Sequence, residues 1–163
     1  SFADSTEVII MKPAYIAGLL LATSLAWTSS EVMASQLVTE EEVRMYQSMV
    51  VPTGESMPPD DPGAPRIVIF QPDVDKSVRS PFQIEVFFRP NDGQRISWES
   101  FRVYYGTFQF DITNRILPIA KIHDNSIFIS HAEIPAGKHK LTLKIADEKQ
   151  RVSRRDVEIL VKN

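Results

Sequence analysis

The sequence predicts an all-β fold, an antiparallel β-sandwich of about seven short strands. Two runs near the C-terminus carry most of that expectation. After Pro135 and Gly137, Leu141, Leu143 and Ile145 alternate with Thr142 and Lys144, the period-two pattern of a strand with one buried face. A second alternating run, Val157, Ile159 and Val161, follows at hairpin distance. Upstream, further short apolar runs are separated by turn residues, and no helical pattern of useful length competes with them.

A chain of 163 residues has room for one ordinary domain plus appendages. Its apolar fraction of 43% is enough to build a core, and its 24% charged fraction is average. The formal charge of −3 argues against a nucleic-acid binder, which needs a basic surface for phosphates. Cysteine is absent, so disulfides, thiol catalysis and thiolate metal sites are excluded.

Residues 11–34 have the form of a secretory signal peptide. Met11 and Lys12 open a short basic segment, an uncharged apolar run extends over residues 16–27, and Val32, Met33 and Ala34 supply modest side chains at the expected cleavage point. The apolar run is about 12 residues, short of the ~20 that span a bilayer, so cleavage after Ala34 is favoured over a retained anchor. Residues 1–10 lie upstream of that start and are expected to stand outside the protein proper. Cleavage would remove Lys12, Asp4, Glu7 and Glu31 and leave a nearly neutral chain, without steering towards an anionic polymer or a membrane. The expected location is periplasmic or secreted.

Residues 35–50 predict a short amphipathic helix. Thr39 and Glu42 make a capping box, and Glu40, Glu41 and Glu42 suit the positive end of a helix. Val43 and Tyr46 form its apolar stripe, which would either pack on the domain or dock a partner. Residues 51–65 then concentrate Pro52, Pro58, Pro59, Pro62 and Pro65 with Gly54 and Gly63, the composition of an extended linker. The compact domain is expected over residues 66–163.

Within it, residues 66–70 form the first strand, ended by Gln71 and Pro72. In residues 82–89, Phe82, Ile84, Val86 and Phe88 share one face and Gln83, Glu85, Phe87 and Arg89 the other. Pro90 to Gly93 supplies the turn that follows. Residues 101–105 make the third strand and 108–112 a short fourth, with a helical turn over 113–116. Residues 126–130 are the fifth, and the two runs near the C-terminus complete the set. About seven short strands within about 100 residues match an immunoglobulin-like sandwich.

The same block resembles bacterial immunoglobulin-like or fibronectin-III-like domains of secreted proteins. The resemblance rests on Pro65-x-Ile67, on Ser80-Pro81-Phe82-x-Ile84, on Ile96 followed by Ser100-Phe101-x-Val103, and on Ile134-Pro135-x-Gly137-x-His139-x-Leu141 ahead of Asp147. It implies the fold and no activity. Two positions depart from the pattern: such domains often carry Tyr where His139 stands, and often Gly in the turn occupied here by Glu148, Lys149 and Gln150.

No catalytic residues are expected. Ser126, Ser130, His123, His131, Asp111 and Asp124 include the residue types of a hydrolytic triad, but none stands in a nucleophile-elbow context. Asp60 and Asp61 lie in the linker, which offers no fixed separation for paired-carboxylate chemistry. Asp73 and Asp75 are the candidate metal ligands, two oxygen donors in one loop for a structural calcium, although a full ligand spacing is missing. No other cofactor is expected.

Outward aromatics are the best pointer to a binding surface. Strand alternation places Phe87, Tyr104 and Phe128 on outer faces, and Trp98 precedes the third strand as either a core-edge aromatic or a sugar platform. The expectation is a non-catalytic module for protein–protein interaction or structural support, with another envelope or secreted protein as partner. An envelope carbohydrate-binding module is the alternative.

Overall fold

The computed structural model describes residues 35–49 and 59–163. The expectations for residues 1–34 and for 51–58 of the linker lie outside the described residues.

The chain enters through β1 (Ser35–Gln36) and α1 (Glu40–Ser48). It continues through β2 (Arg66–Gln71), β3 (Val78–Arg79), β4 (Phe82–Arg89), β5 (Ile96–Tyr105) and β6 (Phe110–Asp111). A helical turn, α2 (Thr113–Ile116), runs into a 3-10 turn over Leu117–Ile119. Then come β7 (Lys121–His123), β8 (Ser126–Glu133), β9 (Gly137–Asp147) and β10 (Val152–Lys162). One sheet runs β2-β4-β8, with β7 and β1 both on the far edge of β8; the other runs β3-β10-β9-β5-β6.

The expected strand alternation sets the core. Val86, Phe88, Ile127 and Ile129 of the first sheet are buried with Phe101, Val103, Leu143, Ile145, Val157 and Ile159 of the second. The two-layer sandwich is therefore the predicted one. It differs in being not wholly antiparallel. After β2 the chain crosses to the opposite sheet, where β3 pairs parallel with the end of β10, and β1 pairs parallel with the end of β8. Two- and three-residue strands such as β1, β3 and β7 are too short to show any period, which is why the sequence predicted fewer strands.

Residues 35–49 are not a separate helix ahead of the domain. Leu37 and Val38 are each 1% exposed, and Val43 is buried with them in the common core. The capping box forms as predicted: Thr39 Oγ1 accepts from the Glu42 N–H, and the Thr39 N–H donates to Glu42 Oε2 at 2.9 Å. Glu42 also pairs with both terminal nitrogens of Arg115 on α2, at 2.6 and 2.9 Å. The hydrogen bonds from Arg115 come first, then those from Thr39, in holding the Glu42 carboxyl down at about 2. Tyr46 stacks on Phe110 at 4.6 Å and tilts against Tyr105 at 5.0 Å. The apolar stripe is thus consumed inside the fold.

The linker also ends earlier than expected. Residues 59–65 lie along β10 instead of spacing the domain away: the Asp61 N–H donates to the Val152 carbonyl, Asp61 Oδ2 accepts the Val152 N–H at 2.8 Å, and Asp60 Oδ1 accepts the Arg154 N–H at 2.6 Å. These carboxylates satisfy edge donors of β10 that no strand reaches. Proline content alone gave no sign of that pairing.

Both positions that depart from the family pattern are resolved by side-chain chemistry. His139 is 1% exposed, with Nε2 at 2.8 Å from the Pro135 carbonyl and Nδ1 at 2.8 Å from the Tyr105 hydroxyl. A carbonyl only accepts, so Nε2 carries the proton and Nδ1 accepts from Tyr105. A histidine therefore ties the loop to the strand, as a tyrosine does in a tyrosine corner. Gly137, with φ of 142°, lets the chain pass between the two. In the β9–β10 hairpin, Gln150 adopts the left-handed φ of 64° that glycine often supplies. Asp147 Oδ1 accepts from the N–H groups of Lys149 and Arg151, and Oδ2 from Arg151 Nε at 2.7 Å. The hairpin is tight, not loosened.

Candidate interaction surface

On the outer face of the first sheet, Val68 of β2 lies opposite Phe87 of β4, and Phe87 lies opposite Ser126 of β8. Phe128 pairs with Glu85, two positions along β4, so Phe87 and Phe128 are diagonal neighbours on one face. A β-bulge between Ile69 and Gln71 leaves Phe70 opposite no residue of β4. Phe70 is 61% exposed and meets Phe87, 36% exposed, edge to face with ring centroids 5.8 Å apart. With Phe128 half-buried beside them, these residues form an aromatic patch rimmed by Gln83, Glu85 and Arg89. A phenylalanine carries ~150–250 Å² of surface. Covering Phe70 alone would remove on the order of 100 Å² from water, a gain of ~2–3 kcal/mol at ~25 cal/mol per Å².

The three aromatics expected to point outward are divided between the two sheets. Phe87 and Phe128 share the first sheet, whereas Tyr104 is on β5 of the second, paired with Thr142 of β9 and Asp111 of β6. The core layer lies between them. Trp98 is half-buried, edge to face with Phe88 at 5.3 Å and with Phe101 at 6.2 Å, which makes it a core-edge aromatic rather than a platform. Phe70 was missed because it ends its run before Gln71 and Pro72. The alternation of Ile67 and Ile69 on the inner face already placed it outward.

Asp73 is bonded within its own loop, and nothing here supports calcium at Asp73 and Asp75. Asp73 Oδ1 accepts the Asp75 N–H at 3.2 Å, and Oδ2 pairs with Lys76 at 2.7 Å. The bond from Lys76 first, then that from Asp75, lowers the Asp73 carboxyl below its ordinary value. Among the described residues no group of three or more His, Asp and Glu side chains converges. Of the triad candidates, His123 Nε2 lies 3.2 Å from Asp124 Oδ2, while the Ser126 hydroxyl donates to the His123 backbone carbonyl at 2.9 Å rather than to an imidazole.

The interior void is about 40 Å³ and largely apolar, lined by residues such as Leu37, Phe101 and Ile116. A surface cleft of about 350 Å³ mixes Glu40 and Glu133 with Arg79 and Lys162. Another, of about 260 Å³, mixes Asp75 and Glu158 with Arg155.

No family model matches the chain, and no curated protein matches it. Among solved structures, CopC from Methylosinus trichosporium OB3b is similar at 12% identity, over 53% of this chain and 82% of that one, with a TM-score of 0.37.

Proposed function

We propose that the protein is a non-catalytic immunoglobulin-like module, close in type to the fibronectin-III-like domains of secreted proteins, that binds another envelope or secreted protein. The observation that carries this reading is the aromatic patch of Phe70, Phe87 and Phe128. Rings that stand on the outer face of a sheet, two of them exposed and edged by polar residues, have the composition of a protein-binding hot spot. A periplasmic or secreted location follows from reading residues 11–34 as a secretory signal.

The test is capture from the envelope and secreted fractions of the source cells on immobilised protein, beside the Phe70→Ser/Phe87→Ser variant. The expected result is one protein retained in near-equal amount by the unmodified bait and lost from the variant, with both baits giving the same circular dichroism. Retention of the same set by both folded baits, or of nothing by either, would remove the patch as the binding surface.

A further inference from the structure

Strand register on the second sheet assembles a charge cluster that is invisible in the sequence. Arg102 of β5 lies directly opposite Lys144 of β9, and Lys144 directly opposite Arg154 of β10. All three occupy outward positions, because Val103, Leu143 and Ser153 beside them are buried. Adjacent strands are ~4.8 Å apart, so three cations form a row ~10 Å long across the sheet.

Like charges placed directly opposite one another destabilise a sheet. Two other cations of β9 are matched: Lys138 pairs with Glu158 and Lys140 with Asp156, each at 2.8 Å. At the row that matching stops. Arg102 meets Asp111 at 3.9 Å through Nε and donates Nη1 to the Glu99 and Phe101 carbonyls, which leaves Nη2 without a partner among the described residues, and the nearby Asp60 gives one oxygen to the Arg154 N–H. Two guanidinium groups and an ammonium on one half-buried row suit an oxyanion of more than one negative charge, as a phosphate monoester carries near neutrality.

The next register along places Tyr104 opposite Thr142. Residues i and i+2 on a strand are ~6.6 Å apart, so a ring lying over Tyr104 would set its substituent over Arg102 and Lys144. Aromatic faces are a common support for sugar rings and other flat, partly apolar bodies.

We infer that Arg102, Lys144 and Arg154, with Tyr104 beside them, form a binding site for a sugar phosphate, the phosphate on the cationic row and the ring on the tyrosine. The site is on the sheet opposite the aromatic patch and does not depend on it. Its near-neutral chain hides it: the net charge of −3 is an average over a surface where this row is locally positive.

The probe is glucose 6-phosphate, titrated into 15N-labelled protein with glucose and inorganic phosphate as parallel arms. The expected result is saturable amide shifts at Arg102, Tyr104, Thr142, Lys144 and Arg154, weaker shifts with inorganic phosphate, and none with glucose. Lys144→Gln is expected to weaken binding about tenfold or more while leaving the thermal midpoint unchanged or raised, since it relieves like-charge repulsion. Lys138→Gln, which removes a matched cation, should bind as the unmodified protein does. Shifts that do not saturate, or equal weakening by Lys138→Gln, would overturn the site. Inorganic phosphate binding as tightly as the sugar phosphate would overturn the role of Tyr104, and shifts with glucose alone would overturn that of the cationic row.

Discussion

Replacing His139 by Phe tests the corner on which the β9 strand is hung. Phe fills nearly the same space but offers neither nitrogen, so the Pro135 carbonyl and the Tyr105 hydroxyl lose the partners now at 2.8 Å each. An unpaired buried polar group costs ~1–3 kcal/mol, so the two together should cost ~2–6 kcal/mol. With a urea m-value of ~2 kcal/mol per M, the unfolding midpoint should fall by roughly 1–3 M. Tyr105→Phe removes one of the two bonds and should cost about half as much, and a double-mutant cycle between the positions should show a coupling of ~1 kcal/mol or more. The corner also titrates. Burial is the main cause that holds the His139 pKa below 6.5, with the Pro135 carbonyl acting against it more weakly. Between that lowered value and 6.5 the unfolded chain binds more protons than the folded one, so stability rises with pH across this window. The histidine's contribution is fully present above 6.5 and is lost as pH falls through the folded value, with a slope of at most ~1.4 kcal/mol per pH unit. Burial pushes Tyr105 up to about 12, so it remains a donor throughout. Urea unfolding by circular dichroism at pH 7.5 and 5.5 gives both quantities. A midpoint shift below about 0.3 M for His139→Phe, or an unfolding difference between variant and parent that does not shrink at the lower pH, would refute the reasoning.

Three further outcomes follow from the same contacts. Leu37→Ala should destabilise by ~2–4 kcal/mol, because Leu37 is 1% exposed and borders the interior void, and urea unfolding measures it directly. Glu42→Gln should cost ~1 kcal/mol, a figure reduced for solvent screening because Arg115 is 46% exposed. Since Glu42 is lowered from 4.5 to about 2, its contribution is present above 4.5 and is lost as pH falls through about 2; thermal midpoints of parent and variant should converge there. Gln150→Gly should stabilise by ~0.5–1 kcal/mol by removing a side chain from the left-handed φ of 64°, an effect visible as a raised thermal midpoint.

The sandwich was legible because its long strands alternate. Val86 and Phe88, Val103 and Tyr105, and Leu141 to Ile145 each declare an inner face within one run of residues. The capping box at Thr39 and Glu42 was legible for the same reason, as a contact three residues long. The candidate surface was half legible. Local alternation showed that Phe87, Tyr104 and Phe128 point outward, yet it held no information about which sheet each strand joins. Tyr104 therefore fell on the far side of the core, and Phe70 came to stand beside Phe87 across a bulge.

What the sequence by itself determined is what short-range physics decides: strand faces, turns, the helix start and the all-β class. Periodicity, backbone propensity and capping act over fewer than ten residues. Tertiary structure alone decided the rest. It put Leu37 and Val38 into the core, laid Asp60 and Asp61 along the edge of β10, joined Tyr105 to His139, and aligned Arg102, Lys144 and Arg154. Each of those contacts except the Lys144–Arg154 hairpin pair joins residues more than thirty positions apart. Which distant groups meet is set by strand order and register, and these minimise the exposed apolar area and unpaired backbone of the whole domain rather than of any one segment.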